Sequence, residues 1–381
     1  MHFEDNLVSA KELVKVKKKR NQPYIYGRFE PEVQSKRESE GWELYKVLKD
    51  QVKMKKDKPQ DEKFEDEVWV LFASLGFDYM NKDRHLEIPY SANDPNLTKQ
   101  IDVFAVDDET ILFVECKCAR AGKKANFKDD IEAISGIRTG LFAEARRAFP
   151  NRKVKYIFAT KNYEVNEQDR MRMEDFGIQH FDEYAIKYFR ELSRHLGKCA
   201  RFQLLGYLFN GQKIDSMDNC VPAIEGKMGG YTYYSFSIEP DKLLKIAYVL
   251  HRNEANSDMI PTYQRIIKKT RLREIQQFIN NGGFFPNSLV ISIDTKGKKL
   301  RFDVATPQVE NAISRIGILH LPQLYRSAYI VDGQHRLYGY ADSKYGSSNS
   351  IPVVAFENLD RDKQVKLFME INENQKSVSK R

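Results

Sequence analysis

The segment Ile101–Lys117, IDVFAVDDETILFVECK, constrains the fold of this chain more than any other stretch. Apolar residues alternate around Asp102, three acidic residues follow, and an apolar β-rich run leads to Glu115, which together predict a β-hairpin. Because side chains of a strand alternate between its two faces, Glu115 and Lys117 are expected on one face and Cys116 on the other. The sequence therefore predicts that Asp102, Glu115 and Lys117 lie together on neighbouring strands.

Two carboxylates and one ammonium are the groups that metal-dependent phosphodiesterases require. Asp102 and Glu115 would bind Mg²⁺ or Mn²⁺, which prefer oxygen ligands, and Lys117 would serve the attacking water or the transition state. The alternative is that charged residues stand at a strand end only for solubility. A short motif does not exclude that alternative.

The segment Phe64–Phe77, FEDEVWVLFASLGF, has apolar residues at helical spacing and a glycine at its end, which predicts a helix before the hairpin. A helix, a hairpin and then the acid pair resemble the Mrr-like branch of the PD-(D/E)xK restriction-endonuclease fold over about residues 60 to 200. The resemblance implies that Glu65 adds a metal contact, with Glu67 as the competing position. One departure is Ile101, where the family often has a glycine.

The chain after the hairpin is predicted to complete a sheet of that fold. The periodicity of the sequence predicts two helices and two strands: a helix over 131–149, a strand over 154–160, a helix over 168–176 and a short strand over 178–181.

A second motif lies in Ala328–Ala341, AYIVDGQHRLYGYA, where an apolar strand runs through a polar string into an amphipathic helix. The string, Asp332, Gly333, Gln334, His335 and Arg336, resembles the DGQHR family, which includes the DNA phosphorothioation regulator DndB and is similar to the ParB and sulfiredoxin fold. The resemblance implies a pocket for nucleotide phosphate, because a glycine before a helix start allows close backbone approach to an anion.

Three residues outside the string, Arg265, Asn372 and Gln375, are implied as further members of this pocket. ParB proteins usually have an arginine and an alanine where this chain has His335 and Gly339, so CTP specificity does not carry over. The alternative is structural: Asp332 would cap the helix, and Arg336 would tie the helix to a loop.

Composition supports a soluble protein with a polyanionic partner. The chain has 381 residues, 41% of them hydrophobic and 30% charged, and a net charge of +8, which favours a multidomain globular protein with a bias toward DNA. No apolar stretch reaches the length of a bilayer span. Four scattered cysteines indicate a reducing compartment, so we expect a cytoplasmic protein without a membrane partner.

The sequence predicts an α/β (α+β) fold class: a restriction-endonuclease-like mixed sheet flanked by helices, followed by a ParB/sulfiredoxin-like α+β domain. The predicted organisation is a basic N-terminal extension over 1–59, a nuclease-like domain over 60–205, a connector over 206–230 and a DGQHR domain over 231–381. Within the extension, residues 41–52 are predicted as a helix. The natural protein is expected to continue past Arg381.

Two functions from different classes follow. The first is a Mg²⁺- or Mn²⁺-dependent endonuclease that cuts double-stranded DNA in prokaryotic antiviral defence or restriction, controlled by a domain that senses nucleoside triphosphate or DNA. The alternative is a DndB-like DNA-binding regulator or NTPase of a DNA-modification system, whose nuclease fold is not catalytic. The oligomeric state stays open, and a homo-oligomer is compatible with both.

Overall fold

The computed structural model describes residues 3–215, 217–250, 268–306, 308–341 and 343–375. The chain divides into two compact units, Met1–Lys187 and Tyr188–Arg381. Both units are mixed α/β structures with sheets flanked by helices, so the predicted α/β (α+β) class is confirmed. No described helix is both long and apolar enough to cross a bilayer.

The first unit carries eleven strands and most of the longer helices. Its elements in chain order are a 3₁₀ helix (Phe3–Asn6), β1 (Leu7–Ser9), α1 (Ala10–Arg20), β2 (Tyr24–Phe29), a 3₁₀ helix (Pro31–Val33), α2 (Gln34–Ser39), β3 (Glu43–Val47), β4 (Val52–Asp57), α3 (Gln60–Leu75), β5 (Tyr79–Asn81), β6 (Leu86–Pro89), β7 (Thr98–Ile101), β8 (Val103–Val106), β9 (Thr110–Ala125), α4 (Lys128–Ala148), β10 (Lys153–Val165), α5 (Glu167–Asp175), β11 (Ile178–Phe181) and the start of α6 (Glu183–Leu196).

The main sheet of this unit has the order β1-β5-β8-β9-β10-β11. Strands β9, β10 and β11 pair in parallel, whereas the other neighbours are antiparallel. The helices and strands predicted from residue 64 to 181 are confirmed, except that Asp102 lies in a bend and not on a strand. Gly76 ends α3 in the left-handed conformation (φ 84°). Aromatic rings from three adjacent strands form the core: Phe113 lies 5.1 Å from Phe104 and 5.9 Å from Tyr156 between ring centroids.

A second, two-stranded sheet of β6 and β7 lies beside α4. Gly140 of α4 makes this packing possible, because a Cβ atom there would stand 1.7 Å from the carbonyl oxygen of Tyr90. The close approach of the helix to the chain after β6 places β7, and Lys99 in it, near β9.

The N-terminal segment is an integral part of this unit. Strand β1 pairs with β5, and α1 packs on α3, where Arg20 and Lys58 bind the buried carboxylate of Asp66 at 3.0 and 2.7 Å. The predicted helix over 41–52 is wrong. Two antiparallel strands, β3 and β4, form there instead, because Val52 and Met54 alternate with lysines and bury one face of a β2-β4-β3 sheet.

The described residues of the second unit form one large sheet and five complete helices. Its elements are the remainder of α6, a 3₁₀ helix (Gly197–Cys199), α7 (Ala200–Leu208), β12 (Cys220–Met228), β13 (Tyr231–Ile238), α8 (Pro240–Ile246), β14 (Ala247–Tyr248), α9 (Lys269–Asn280), β15 (Leu289–Ile293), β16 (Arg301–Val304), β17 (Arg315–His320), β18 (Ala328–Asp332), α10 (Gln334–Tyr340), β19 (Ile351–Glu357) and α11 (Arg361–Gln375).

The eight strands have the order β14-β18-β15-β19-β13-β12-β17-β16. Strand β12 falls inside the range 206–230 that the sequence predicts as a connector, yet it pairs with both β13 and β17. Glycine and proline in that stretch gave the appearance of a loop, whereas Val221 and Ala223 alternate into the core of the sheet.

Candidate functional site

Asp102 lies in the bend between β7 and β8, not on a strand as predicted, because the chain leaves the β6-β7 sheet there and enters the main sheet. Its carboxylate Oδ2 accepts a hydrogen bond of 2.7 Å from the backbone N–H of Cys116. The register Val103↔Val114 places Asp102 across from Glu115. The two predicted acids are therefore neighbours.

Asn81, which sequence reasoning missed, holds the bend in place. The residue is fully buried; its amide Nδ2 donates to the Asp102 carbonyl at 3.0 Å, and its Oδ1 accepts from the Phe104 N–H at 3.0 Å. A single side chain thus satisfies the carbonyl oxygen of Asp102 and the backbone N–H two residues after it.

Glu115 and Lys117 lie together, as the strand alternation predicts. Lys117 Nζ is 3.2 Å from Glu115 Oε1 and 2.9 Å from Asp130 Oδ1 of α4. The other oxygen of Glu115 is 3.0 Å from Lys99 Nζ of β7. Each oxygen of the Glu115 carboxylate therefore faces an ammonium group.

Helix α3 brings Glu65, and not Glu67, toward this cluster. Glu65 is close enough to Asp102 for the two charges to repel, whereas Glu67 binds Lys161 at 2.6 Å. Arg84 reaches the cluster from the loop after β5, with its Nε 3.1 Å from Glu65 Oε2. The structure thus places Glu65, and not Glu67, beside Asp102.

Burial and mutual repulsion make the carboxyl groups hard to ionise. Burial, followed by the charge of Glu115, raises the pKa of Asp102 to about 6, although the Cys116 N–H opposes this. Burial and then the charge of Asp102 raise the pKa of Glu65 to about 7. Burial tends to lower the pKa of Lys117, but its hydrogen bond to Asp130 and the charge of Glu115 outweigh that effect and raise it.

A divalent cation would relieve this repulsion, and the Asp102 and Glu115 oxygens are ligands that Mg²⁺ accepts. Within the described residues, however, no group of three or more His, Cys, Asp or Glu side chains is arranged to hold a metal ion. Lys99 and Arg84 also stand beside the oxygens of Glu115 and Glu65. Asp102 and Glu115 therefore offer two neighbouring carboxylate donors, fewer than such a group contains.

A basic arm extends from the cluster. The range 117–128, the outer half of β9 with the start of α4, contains five lysines and arginines and no acidic residue. Arg120, Lys123 and Lys124 are exposed on it, and β10 supports it through the pairs Lys123↔Tyr163 and Lys124↔Glu164. Such an arm presents cations on a rigid ribbon.

The predicted phosphate loop has the expected strand–glycine–helix form. Gly333 stands between β18 and α10 with φ 98°, and a Cβ atom there would lie 2.2 Å from Leu289 Cδ2. Gly333 itself is the N-cap residue, so the alternative of Asp332 as helix cap is wrong.

Arg336 is engaged within the protein. Its Nη2 binds Asp332 Oδ2 at 2.7 Å, and its Nη1 donates to the carbonyl oxygens of Asn287 and Ser288. The guanidinium thus ties α10 to the loop before β15, as the structural alternative for this residue predicts.

A cavity of about 510 Å³ lies against this loop. The described members of the predicted pocket that line it are Asp332, Gly333, Gln334, His335, Arg336 and Asn372. Arg271 of α9 and Phe285 also line it. Arg265 lies outside the described residues, and nothing is described of the Gln375 side chain at the end of α11.

Arg271 contributes a cation to the wall of the cavity. Burial, then the charge of Arg271, lowers the pKa of His335, so its imidazole is mainly neutral near pH 7. An anion in the cavity would favour the protonated imidazole. Sequence reasoning named His335 but not the contribution of Arg271 to the charge of this wall.

Part of the second unit matches a known protein family. Residues 221–380 match the DndB family model, described as DNA-sulfur modification-associated. The matched range contains the loop residues 332–336 and the helices α9, α10 and α11 that line the cavity. It gives the DndB-matching region a link to DNA modification, and it leaves the nuclease resemblance of the first unit as a prediction.

The other comparisons add little. No curated protein matches this chain. A solved structure, the protein VC1899 from Vibrio cholerae, is similar at 10% sequence identity and a TM-score of 0.26, over 49% of this chain and 50% of that one. That likeness spans only half of VC1899 and is too weak to assign a fold.

Proposed function

We propose that this protein is a DNA-binding regulatory component of a DNA-modification system. The observation that supports this function best is the DndB match over residues 221–380, which includes the DGQHR cavity. The charge distribution of the first unit agrees with it, because the acidic cluster is neutralised by cations and a basic arm projects beside it. A surface of this kind suits a polyanion.

We assign the DNA contact to the basic arm, through Arg120, Lys123 and Lys124. Phosphate contacts make affinity depend on salt, with a log–log slope of about 0.9 for each phosphate neutralised on duplex DNA. Replacing all three residues by alanine should weaken duplex binding by about a hundredfold, on the order of 1 kcal/mol for each contact, and lower the salt slope by about 3.

The matched control is the alanine triple of Lys15, Lys18 and Lys19 on α1, which removes the same charge from exposed positions of the same unit. Fluorescence polarisation with a short labelled duplex over a range of salt compares the two. Equal losses of affinity in the two triple variants would show that net charge alone drives binding. That result would reject the basic arm as the DNA contact.

We further propose that the DGQHR cavity binds an anionic phosphate group through Arg271 and His335, with Arg336 as a positioning residue. Calorimetry with ATP and with inorganic phosphate tests this. Arg271→Ala should weaken binding by about tenfold, since a charge-assisted hydrogen bond is lost. Arg273→Ala, an exposed arginine of the same helix that does not line the cavity, should leave binding unchanged.

The pH dependence of that binding has a definite sign. Because His335 is mainly neutral near pH 7 and an anion favours its charged form, affinity for phosphate should rise as pH falls through its lowered pKa. Affinity that is independent of pH in the wild type, after allowance for titration of the ligand, would remove His335 from the site.

One observation favours a second candidate, a metal-dependent nuclease: Asp102 stands across from Glu115, and Lys117 Nζ lies 3.2 Å from Glu115. In that case Asp102 and Glu115 would hold Mg²⁺ or Mn²⁺, with Glu65 nearby, and the bound ion would activate water and offset charge on the phosphate. Lys117 would donate a hydrogen bond toward the scissile phosphate, and Asp130 would orient it.

Plasmid incubated with either ion, with and without nucleotides, tests this candidate. Lys117→Ala should abolish cutting, whereas Lys99→Ala should retain it, because Lys99 only neutralises a carboxylate. Intact plasmid under all conditions would reject the nuclease and leave the regulator. Equal cutting by Lys117→Ala would show that any activity resides elsewhere.

A further inference from the structure

A cysteine, a histidine and an aspartate form a connected chain on the second unit's sheet, outside both sites described above. Strand β12 pairs with β17 in the register Cys220↔His320, and β16 pairs with β17 in the register Arg301↔His320. Asp303 lies two residues beyond Arg301 on the same face. Three adjacent strands therefore bring these residues together, although 100 residues separate Cys220 from His320.

The distances fit a thiol, a base and an orienting acid. Cys220 Sγ lies 3.4 Å from His320 Nδ1, and His320 Nε2 lies 2.7 Å from Asp303 Oδ2. The contacts use opposite nitrogens of the imidazole, so Asp303 fixes the ring and its tautomer while Nδ1 faces the sulfur. This is the geometric signature of an activated nucleophile, in which the base is oriented by a third group.

The charged surroundings keep Asp303 ionised. A bidentate contact from Arg301, with Nε at 3.1 Å and Nη2 at 2.9 Å, followed by the hydrogen bond to His320, lowers the pKa of Asp303. Arg301 also interacts electrostatically with Cys220. From the segment just before β12, Asp218 faces the Cys220 backbone N–H and Asn219 faces its sulfur.

Cys220 differs from the other three cysteines of the chain, all of which are described. Cys220 is exposed, whereas Cys199 is buried. Burial raises the pKa of the Cys116 and Cys118 thiols, which disfavours their reactive thiolate forms. Reactivity toward soft electrophiles should therefore concentrate at Cys220.

We propose that Cys220 is a thiol-modification site that exchanges with low-molecular-weight disulfides, with His320 as its base and Asp303 as a positioning residue. His320 Nδ1 accepts the proton of the Cys220 thiol, and the thiolate attacks one sulfur of the disulfide. The disulfide bond breaks, a new bond forms between Cys220 and the attacked sulfur, and the departing thiolate takes the proton back from the imidazolium. The disulfide is the oxidant, and the products are a mixed disulfide on Cys220 and one free thiol.

The test uses the full chain with oxidised glutathione as the probe and mass spectrometry of peptides as the readout. Modification of Cys220 should be at least about tenfold faster than modification of Cys118, the partly exposed comparison thiol. His320→Gln should slow Cys220 by about tenfold or more, and Asp303→Asn by a smaller factor, with Cys118 unchanged.

A pH profile separates activation from a merely structural role. The rate at Cys220 should depend less on pH in the wild type than in His320→Gln, which should show the steep rise of an unassisted thiol with pH. Should His320→Gln fail to fold, the urea-unfolded wild type replaces it, since unfolding must erase the advantage of Cys220 over Cys118. Equal rates at the two thiols of the folded protein, or a rate at Cys220 that His320→Gln does not alter, would overturn the proposal.

Discussion

Replacing Asp102 by asparagine should stabilise this protein in a way that depends on pH. Burial and the charge of Glu115 place the Asp102 pKa at about 6 in the folded state, against an ordinary value of 3.8. The folded state therefore disfavours the ionised carboxylate. The Asp102 carboxyl has no effect on stability at pH values below its pKa in the unfolded state. Stability falls as the pH rises from that value through the Asp102 pKa of the folded state.

The difference between 3.8 and about 6 corresponds to about 3 kcal/mol, an upper value because neighbouring carboxylates share the effect. The asparagine side chain keeps an oxygen that accepts the Cys116 N–H, so the backbone contact survives. Asp102→Asn should raise the free energy of unfolding by up to about 3 kcal/mol near pH 8 and by only about 0.5 kcal/mol near pH 4.

Urea denaturation followed by tryptophan fluorescence, to which the buried Trp69 contributes, measures this at both pH values. Asp78→Asn, an exposed carboxylate at the start of β5, is the control and should change stability by less than about 0.5 kcal/mol at either pH. Millimolar Mg²⁺ should stabilise the wild type near pH 8 but not Asp102→Asn if the acid pair binds the ion. Destabilisation by Asp102→Asn near pH 8 would refute the electrostatic reasoning.

Three further substitutions test the packing and the ion pairs, each by urea denaturation. Gly140→Ala should cost more than about 3 kcal/mol, because its Cβ would overlap the carbonyl of Tyr90; a cost below about 1 kcal/mol would contradict the close packing of α4. Asp66→Ala should cost about 3–5 kcal/mol, since it leaves buried cations unpaired, whereas Glu43→Ala at an exposed pair should cost less than about 1 kcal/mol. Arg336→Ala should cost about 2–3 kcal/mol of stability through lost charge-assisted hydrogen bonds. Unchanged stability would contradict this structural role and favour direct binding of the ligand by Arg336.

Local patterns of the sequence predicted the parts of the site that depend on neighbours along the chain. The alternation around Ile101–Lys117 correctly predicted the β8–β9 hairpin and the proximity of Asp102, Glu115 and Lys117. It did not predict the cations at the cluster. Lys99 and Arg84 reach it only because β7 and the loop after β5 fold back on β9 and α3, which is a property of tertiary packing.

The same limit explains what the sequence missed in the second unit. The string from Asp332 to Arg336 predicted a strand, a glycine turn and a helix, and all three are present. Nothing in the spacing of Cys220 and His320 indicates their contact, because the pairing of β12 with β17 decides it. Glycine and proline in residues 206–230 likewise concealed β12, which pairs with the adjacent β13 and with the distant β17.

The order of strands in the second unit has a consequence for biosynthesis. Strand β19 is the last strand of the described chain, yet it lies in the middle of its sheet, between β15 and β13. Until Ile351–Glu357 leave the ribosome, the nascent chain holds two separate half-sheets with unpaired inner edges. We therefore expect this unit to fold late in translation and to depend on chaperones until then, and a stop codon before residue 351 should yield an aggregating product.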